Sequence, residues 1–245
     1  MVDIHCHILP GVDDGPEAWS TALQMLEMAA RDGIQHIVAT PHSNADFSYS
    51  RSTHAESLKR LKLLSTVAID LSLGCDFHFS FENIESALRD ASQFCIGSTP
   101  YLLVEFSSFG IPPNAKATLL RFLDKGIVPI ITHPERNPRL VQNLVMVRSL
   151  VELGCLIQIT ANSITGYWGE AARNSCFKLI DESLVHVVAT DAHNLKSRPP
   201  ILSTARDAIR TRYSEELANA LCVTIPAAIV SGATVSRSSS YSRPS

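Results

Sequence analysis

The sequence predicts an α/β protein in which parallel strands and helices alternate to form a closed or nearly closed β/α barrel. Three observations predict it: short β-branched apolar runs recur, amphipathic helical stretches separate them, and polar residues collect where the runs end. The runs are residues 2–8, 34–40, 67–75, 102–106, 127–132, 155–160 and 184–190. They are apolar with little alternation, as strands buried on both faces are. The helical stretches are 16–31, 55–65, 83–92, 113–125, 140–153, 170–181, 204–212 and 215–222. The first shows Trp19, Leu23, Leu26 and Ala30 at helical spacing. Gly33, Gly126 and Gly154 each stand between a helical stretch and a strand, where a left-handed cap ends the helix. Strand and helix in turn imply βα units, and seven strands suit a barrel. An open doubly wound sheet is the alternative, but no Gly-rich phosphate loop follows any strand.

Composition narrows the function. Of 245 residues, 45% are hydrophobic and 18% charged, enough apolar material for a sizeable core and unlike a disordered chain. The formal net charge of −3 argues against nucleic acid as a partner. The longest apolar candidate for a membrane span, residues 217–230, is interrupted by Asn219, Thr224 and Pro226, so no membrane insertion is expected. The N-terminus shows no basic region followed by an apolar one, and six scattered cysteines form no CxxC pair; both point to the cytoplasm. One domain is expected over 1–232, followed by a disordered Ser-rich tail over 233–245.

In a parallel β/α barrel, chemistry gathers at the C-terminal ends of the strands. His5 and His7 end the first strand, with Asp14 in the next loop. His42 ends the second, Asp76 follows the third, Glu105 ends the fourth, His133 follows the fifth, and Asp191 and His193 follow the last. Residues i and i+2 of a strand point the same way, so His5 with His7, and Asp191 with His193, can converge while Cys6 and Ala192 face elsewhere. A divalent ion takes roughly four to six such ligands, so nine candidates suggest two or three ions sharing carboxylates. The mixed imidazole and carboxylate set suits zinc, iron or manganese. His36, His54 and His186 lack this setting, and His78 is read as a neighbour rather than a ligand. Arg136 and Arg198 follow His133 and His193 closely, and guanidinium forks above a metal site suit a phosphate; pairing of Arg136 with Glu135 is the alternative.

The stretch from Asp3 to Pro16 (DIHCHILPGVDDGP) resembles the opening motif of the PHP (polymerase and histidinol phosphatase) superfamily. More narrowly, the chain resembles the bacterial manganese-dependent protein-tyrosine phosphatases of capsule and exopolysaccharide synthesis. The further motifs stand in the same order: ATPH ending at His42, GCD at Asp76, LVEF around Glu105, THPER over 132–136, ATDAHN over 189–194 and RPP from Arg198. The resemblance runs from Met1 to about Gly232. It implies a distorted (β/α)7 TIM-like barrel, the PHP fold, and a trinuclear metal site. It assigns His5, His7, Asp14, His42, Asp76, Glu105, His133, Asp191 and His193 as ligands, and Arg136 and Arg198 as phosphate-binding. It also implies hydrolysis of phosphotyrosine by metal-activated hydroxide, manganese as the ion with iron or zinc as alternatives, and a tyrosine autokinase of polysaccharide export as partner.

The chain departs from the family pattern at three places. Aspartate at 76 replaces the usual glutamate, one methylene longer. The segment Ser43 to Asp46 is less basic than in many members. Ile225 replaces an asparagine before Pro226. No cysteine is followed five residues later by arginine, so a cysteine-nucleophile phosphatase is not indicated. Competing readings are a small-molecule phosphoesterase such as a histidinol phosphatase, a metal-dependent C–N hydrolase, and a barrel that binds without catalysis.

Overall fold

Strand and helix alternate along residues 1–235, the part of the chain that the computed structural model describes. A three-stranded parallel sheet has the order β1 (Val2–Cys6), β2 (His36–Ala39), β4 (Asp70–Leu73). A six-stranded parallel sheet has the order β3 (His42–Ser43), β5 (Asp76–His78), β6 (Tyr101–Glu105), β7 (Val128–Thr132), β8 (Leu156–Thr160), β9 (Val187–Ala189). The strands expected over 34–40 and 67–75 are each broken. β2 stops before Thr40-Pro41 and resumes as β3, and β4 stops before Gly74-Cys75 and resumes as β5. Pro41 has no N–H to give a ladder. A side chain on Gly74 would press within 3.1 Å of Val38.

The chain passing from β2 to β3 and from β4 to β5 joins the two sheets along one side. On the other side, Asp191 N–H donates to the His5 carbonyl (2.8 Å), His7 N–H donates to the Ala192 carbonyl (2.8 Å), and Cys6 bridges Ala192. Seven chain segments thus follow one another around a ring, the distorted (β/α)7 arrangement that the family resemblance implies.

Around it lie α1 (Trp19–Arg31), α2 (Arg51–Leu64), α3 (Phe81–Arg89), α4 (Ala115–Asp124), α5 (Leu144–Leu153), α6 (Ala161–Ile164), α7 (Gly169–Asp181), α8 (Ser203–Arg212), α9 (Glu215–Asn219) and α10 (Ile225–Ser231). Ser50 and Ser80 accept from Thr53 and Asn83 N–H and start α2 and α3 earlier than hydrophobic period alone indicates. In α1 the buried face is Ala22, Met25, Leu26 and Ala29, one residue round from the expected stripe. Trp19 lies at its edge under the Arg60 guanidinium. The single helix expected over 215–222 is α9, a π-helical turn Ala220–Thr224 and α10. Pro226 falls in the first turn of α10, where its missing N–H costs nothing. Residues 233–235 of the expected tail are tied to the barrel. Tyr101 Oη donates to the Ala233 carbonyl (2.7 Å) and accepts from Val235 N–H (3.0 Å). The rest of that tail, from Ser236, lies outside the described residues.

Two apolar clusters follow the strand alternation. Leu102, Val104, Ile131, Ile157, Ile159 and Val188 face the helices in the larger one. Val2, Ile4, Val38, Leu103, Ile130, Leu156 and Val187 fill the barrel interior in the smaller one, with Ile229 of α10 against them. Farther along the same strands the inward positions turn polar: Glu105 follows Leu103 at i+2, and Gln158 follows Leu156. On β1 the register with β2 shifts between Asp3 and Cys6. Across that irregularity Val2 and Ile4 join the inner apolar cluster and Cys6 the outer one, and His5 and His7 turn into the polar end.

Candidate metal and phosphate site

The nine predicted ligand candidates come together at one end of the barrel. His5 Nε2 lies 3.2 Å from His7 Nε2, 3.5 Å from Asp76 Oδ2 and 3.4 Å from Asp191 Oδ1. The same Asp191 oxygen is 3.4 Å from His7 Nε2. His42 reaches Asp14 through Nε2 (3.3 Å) and Asp76 through Nδ1 (3.2 Å). His193 Nε2 is 3.1 Å from Asp14, and His133 Nε2 is 3.7 Å from Glu105. Among the described residues, three groups have ligand atoms mutually within 4.8 Å: His7, Asp14, His42 and His193; His5, His7 and Asp76; His42, Asp76 and Glu105. Each pair of groups shares one residue, His7, His42 or Asp76.

Several of these residues are aimed by partners the sequence reading did not single out. His5 Nδ1 bonds Gln158 Oε1 (3.0 Å), and His7 Nδ1 bonds Asp13 Oδ2 (2.7 Å). His193 Nδ1 bonds the Asp191 carbonyl (3.0 Å). With the proton on Nδ1, each Nε2 presents a lone pair to the cluster, the arrangement typical of metal-binding imidazoles. Asp13 also accepts from His42 N–H and Gly15 N–H. A Cβ on Gly15 would lie 2.4 Å from the His7 carbonyl oxygen, so only glycine lets this turn close and carry Asp14 to the cluster. Buried Asp3 accepts from Thr190 N–H and Oγ1 and from His5 N–H, tying β1 to the segment that carries Asp191. Sequence offered one signal for Asp13, its place beside Asp14, and none for Gln158, an ordinary strand residue.

The cluster is electrostatically incomplete by itself. Asp76 is wholly buried, and its oxygens lie at ion-pair distance from His5 and His42 without a well-directed hydrogen bond; His193 Nε2 stands in the same relation to Asp14. The Nε2 atoms of His5 and His7 face each other across 3.2 Å. Buried charge without well-directed partners costs several kcal/mol per group. Burial disfavours an ionised Asp76, but the His5 and His42 imidazoliums hold its carboxyl well below the usual range. Burial also disfavours charged His5, yet Asp76 and Asp191 lift its pKa to about 9; Asp14, Asp76 and Glu105 lift that of His42 to about 11. Burial, with Arg136 or His7 nearby, pushes His133 and His193 down to about 4. His133 (φ +32°) and Asp191 (φ +52°) hold the left-handed backbone region that β-carbon sterics disfavour. Carboxylate oxygens without well-directed bonds, converging ring nitrogens and a donor set of imidazole and carboxylate fit divalent cations.

Asp191 divides its carboxylate. Oδ1 faces the imidazoles, while Oδ2 accepts from Arg136 Nη1 and, at 2.6 Å, from Arg198 Nη2. Arg136 therefore does not pair with Glu135, which is buried and accepts from Thr160 N–H and Ser163 Oγ. Trp168 packs under both guanidiniums, 4.2 Å from Arg136 and 5.7 Å from Arg198, a contact the sequence did not disclose. A cleft of about 1290 Å³ opens over His42, Glu105, His133 and Arg136, with Phe109 and Trp168 on its walls. His78 lines this cleft, 3.6 Å from Glu105. His36 bonds Ser72, His186 accepts from Ile157 N–H, and His54 lies buried against Tyr49; none joins the cluster. All six cysteines are buried.

The sequence profile of the family described as "Capsular polysaccharide synthesis, CpsB/CapC" matches residues 1–231. The chain is 36% identical over 223 residues to the putative tyrosine-protein phosphatase CapC of Staphylococcus aureus, covering 89% of this chain and 87% of that one. It is 32% identical over 239 residues to the tyrosine-protein phosphatase CpsB of Streptococcus pneumoniae, covering 94% and 98%. A solved structure, from work describing Bacillus subtilis YwqE and S. pneumoniae CpsB as metal-dependent tyrosine phosphatases, superposes with TM-score 0.90 at 30% identity over 96% of both chains. An organophosphorus hydrolase variant shares the fold at TM-score 0.58 and 13% identity. The chain belongs to the CpsB/CapC family of capsular polysaccharide synthesis.

Proposed function

We propose that this chain is a metal-dependent protein-tyrosine phosphatase acting on phosphotyrosyl proteins of capsule or exopolysaccharide synthesis. The observation that carries the reading is Asp191, whose one oxygen faces His5 and His7 while the other gathers Arg136 and Arg198. It sets two guanidiniums directly beside the cation-binding cluster.

His5, His7, Asp14, His42, Asp76, Glu105, His133, Asp191 and His193 would hold the ions. Overlap of the three ligand groups through one shared residue per pair supports two or three of them, and the oxygen-and-nitrogen donor set suits manganese, with iron or zinc as alternatives. Bound ions supply Lewis acidity toward a phosphoryl group and acidify water to near neutrality.

The chain's own residues do the rest. Arg136 and Arg198 bind two equatorial phosphoryl oxygens and neutralise their charge. Trp168 keeps both forks from swinging into solvent. The tyrosyl ring lies in the cleft of about 1290 Å³ that Phe109 and Trp168 line. A phenolate leaves readily because its conjugate acid has a pKa near ~10. Asp191 and Gln158 hold the imidazoles in register throughout.

The partner inferred is a phosphotyrosyl protein, specifically a tyrosine autokinase of polysaccharide export, met in the cytoplasm. No helix among the described residues is long and apolar enough to cross a membrane. The test is hydrolysis of a phosphotyrosine peptide, a phosphoserine peptide and histidinol phosphate by chelator-stripped protein, with and without manganese. Manganese-dependent release from phosphotyrosine alone is expected. Release mainly from histidinol phosphate would replace the substrate, and activity lost to thiol alkylation but not to chelation would overturn the mechanism.

A further inference from the structure

The main cleft does not end at the catalytic rim. A second cleft of about 660 Å³ continues from it, and Pro138 and Gln142 line both. It lies between two loops that the active site already couples. Asn137 Nδ2 donates to the carbonyls of Phe106 and Ser107, and Asn137 Oδ1 accepts from Arg139 N–H. The turn after β7 thus places Arg136 over the metal cluster and, three residues later, Arg139 on the wall of the second cleft. Lys116 of α4 lines it as well. Both cations are exposed, neither takes part in an ion pair among the described residues, and no acidic side chain lines this cleft. The main cleft differs in charge, with Asp46 and Glu82 among the residues that line it and absent from the second cleft.

We propose that the second cleft binds the polypeptide flanking the phosphotyrosine, and that Lys116 and Arg139 select an acidic flank. The inference rests on the phosphotyrosine reading and names the substrate class of that same site. Continuity through Pro138 and Gln142 gives the flanking chain a path. The difference in lining gives it a direction, since an acidic segment is repelled by Asp46 and Glu82 of the main cleft and attracted by Lys116 and Arg139 of the second. Two exposed ion pairs set the scale: roughly five- to tenfold in kcat/KM, weakened by salt.

The test uses the full-length manganese-loaded enzyme and three phosphotyrosine peptides of one length, with acidic, neutral or lysine-rich flanks, and p-nitrophenyl phosphate beside them. The expected acidic-to-neutral ratio of kcat/KM is roughly five to ten, expressed in KM and collapsing at high salt. In the double variant K116E/R139E the lysine-flanked peptide becomes the preferred one, a gain that a misfolded protein cannot show. Equal rates on the three peptides by enzyme that cleaves p-nitrophenyl phosphate would overturn the inference alone. So would a preference that survives the double charge reversal. Failure of the wild-type enzyme on every phosphotyrosine peptide would overturn it together with the reading beneath it.

Discussion

The barrel interior has two storeys built on the same strands, and they are stabilised in opposite ways. In the lower one Ile4, Val38, Leu103, Ile130, Leu156 and Val187 pack against α10 with no polar atom to satisfy. In the upper one, His5, His7, Asp76, Glu105, Gln158 and Asp191 project into a common space, Asp76 has no well-directed hydrogen bond, and His133 and Asp191 hold disfavoured backbone angles. Leu103 and Glu105 are two residues apart on one strand, as are Leu156 and Gln158. The comparison teaches that hydrophobic packing below holds the upper imidazoles and carboxylates at ion-pair distance while leaving ligand atoms such as those of Asp76 without well-directed bonds. The upper storey contributes further stability when cations fill it.

The sharpest way to break that division is at Asp191. Asp191→Ala removes the carboxylate that links both imidazoles to both guanidiniums, and kcat/KM on a phosphotyrosine peptide should fall by on the order of 10⁴, or ~5 kcal/mol. Denaturant unfolding of the chelated variant should also lose stability, by a smaller ~1–3 kcal/mol, because Arg136, Arg198 and His5 keep their positions without the carboxylate and alanine suits the left-handed backbone less well than aspartate. Next in size is Leu103→Ala in the lower storey, which should cost ~2–5 kcal/mol of unfolding free energy while the folded fraction keeps its turnover. If Leu103→Ala lost activity at full stability, or Asp191→Ala lost stability at full activity, the two storeys would not be separate.

How much of this the sequence disclosed follows the same boundary. Ligand candidates at strand ends were legible because polar residues in apolar runs stand out, and the i, i+2 spacing of His5 with His7 fixed their common direction. Gln158 was not legible: one amide in a strand carries no spacing signal, and only the fold brings it to His5. The breaks after β2 and β4 were hidden because an apolar run does not show where its ladder is interrupted. Trp168 was hidden too, since a loop aromatic gains meaning only beneath Arg136 and Arg198. The buried face of α1 was missed by one residue because Trp19 was weighted as core, whereas it lies at the edge under Arg60.

The smallest expected effect sharpens the comparison most finely, because it separates the upper storey's two states. Without ions, His5 and His42 titrate at about 9 and about 11, both above the ordinary 6.5, because carboxylates outweigh the burial that opposes their charge. Their protonated forms therefore stabilise the ion-free protein fully below about pH 6.5 and progressively less as pH rises through about 9 and then about 11. A cation needs the same nitrogens deprotonated, so loading at pH 7 should expel close to two protons per molecule from these two rings, and the apparent affinity should climb with pH. Calorimetric titration with manganese in buffers of different ionisation enthalpy reads that number directly, and at pH 10 it should fall to about one, His5 having already lost its proton. Thermal melts should move the opposite way, the chelated protein losing stability over the pH range in which the metal-loaded protein gains it. Proton release near zero at pH 7 would mean that the imidazoles are already neutral, and that the carboxylates of the upper storey are held by something other than His5 and His42.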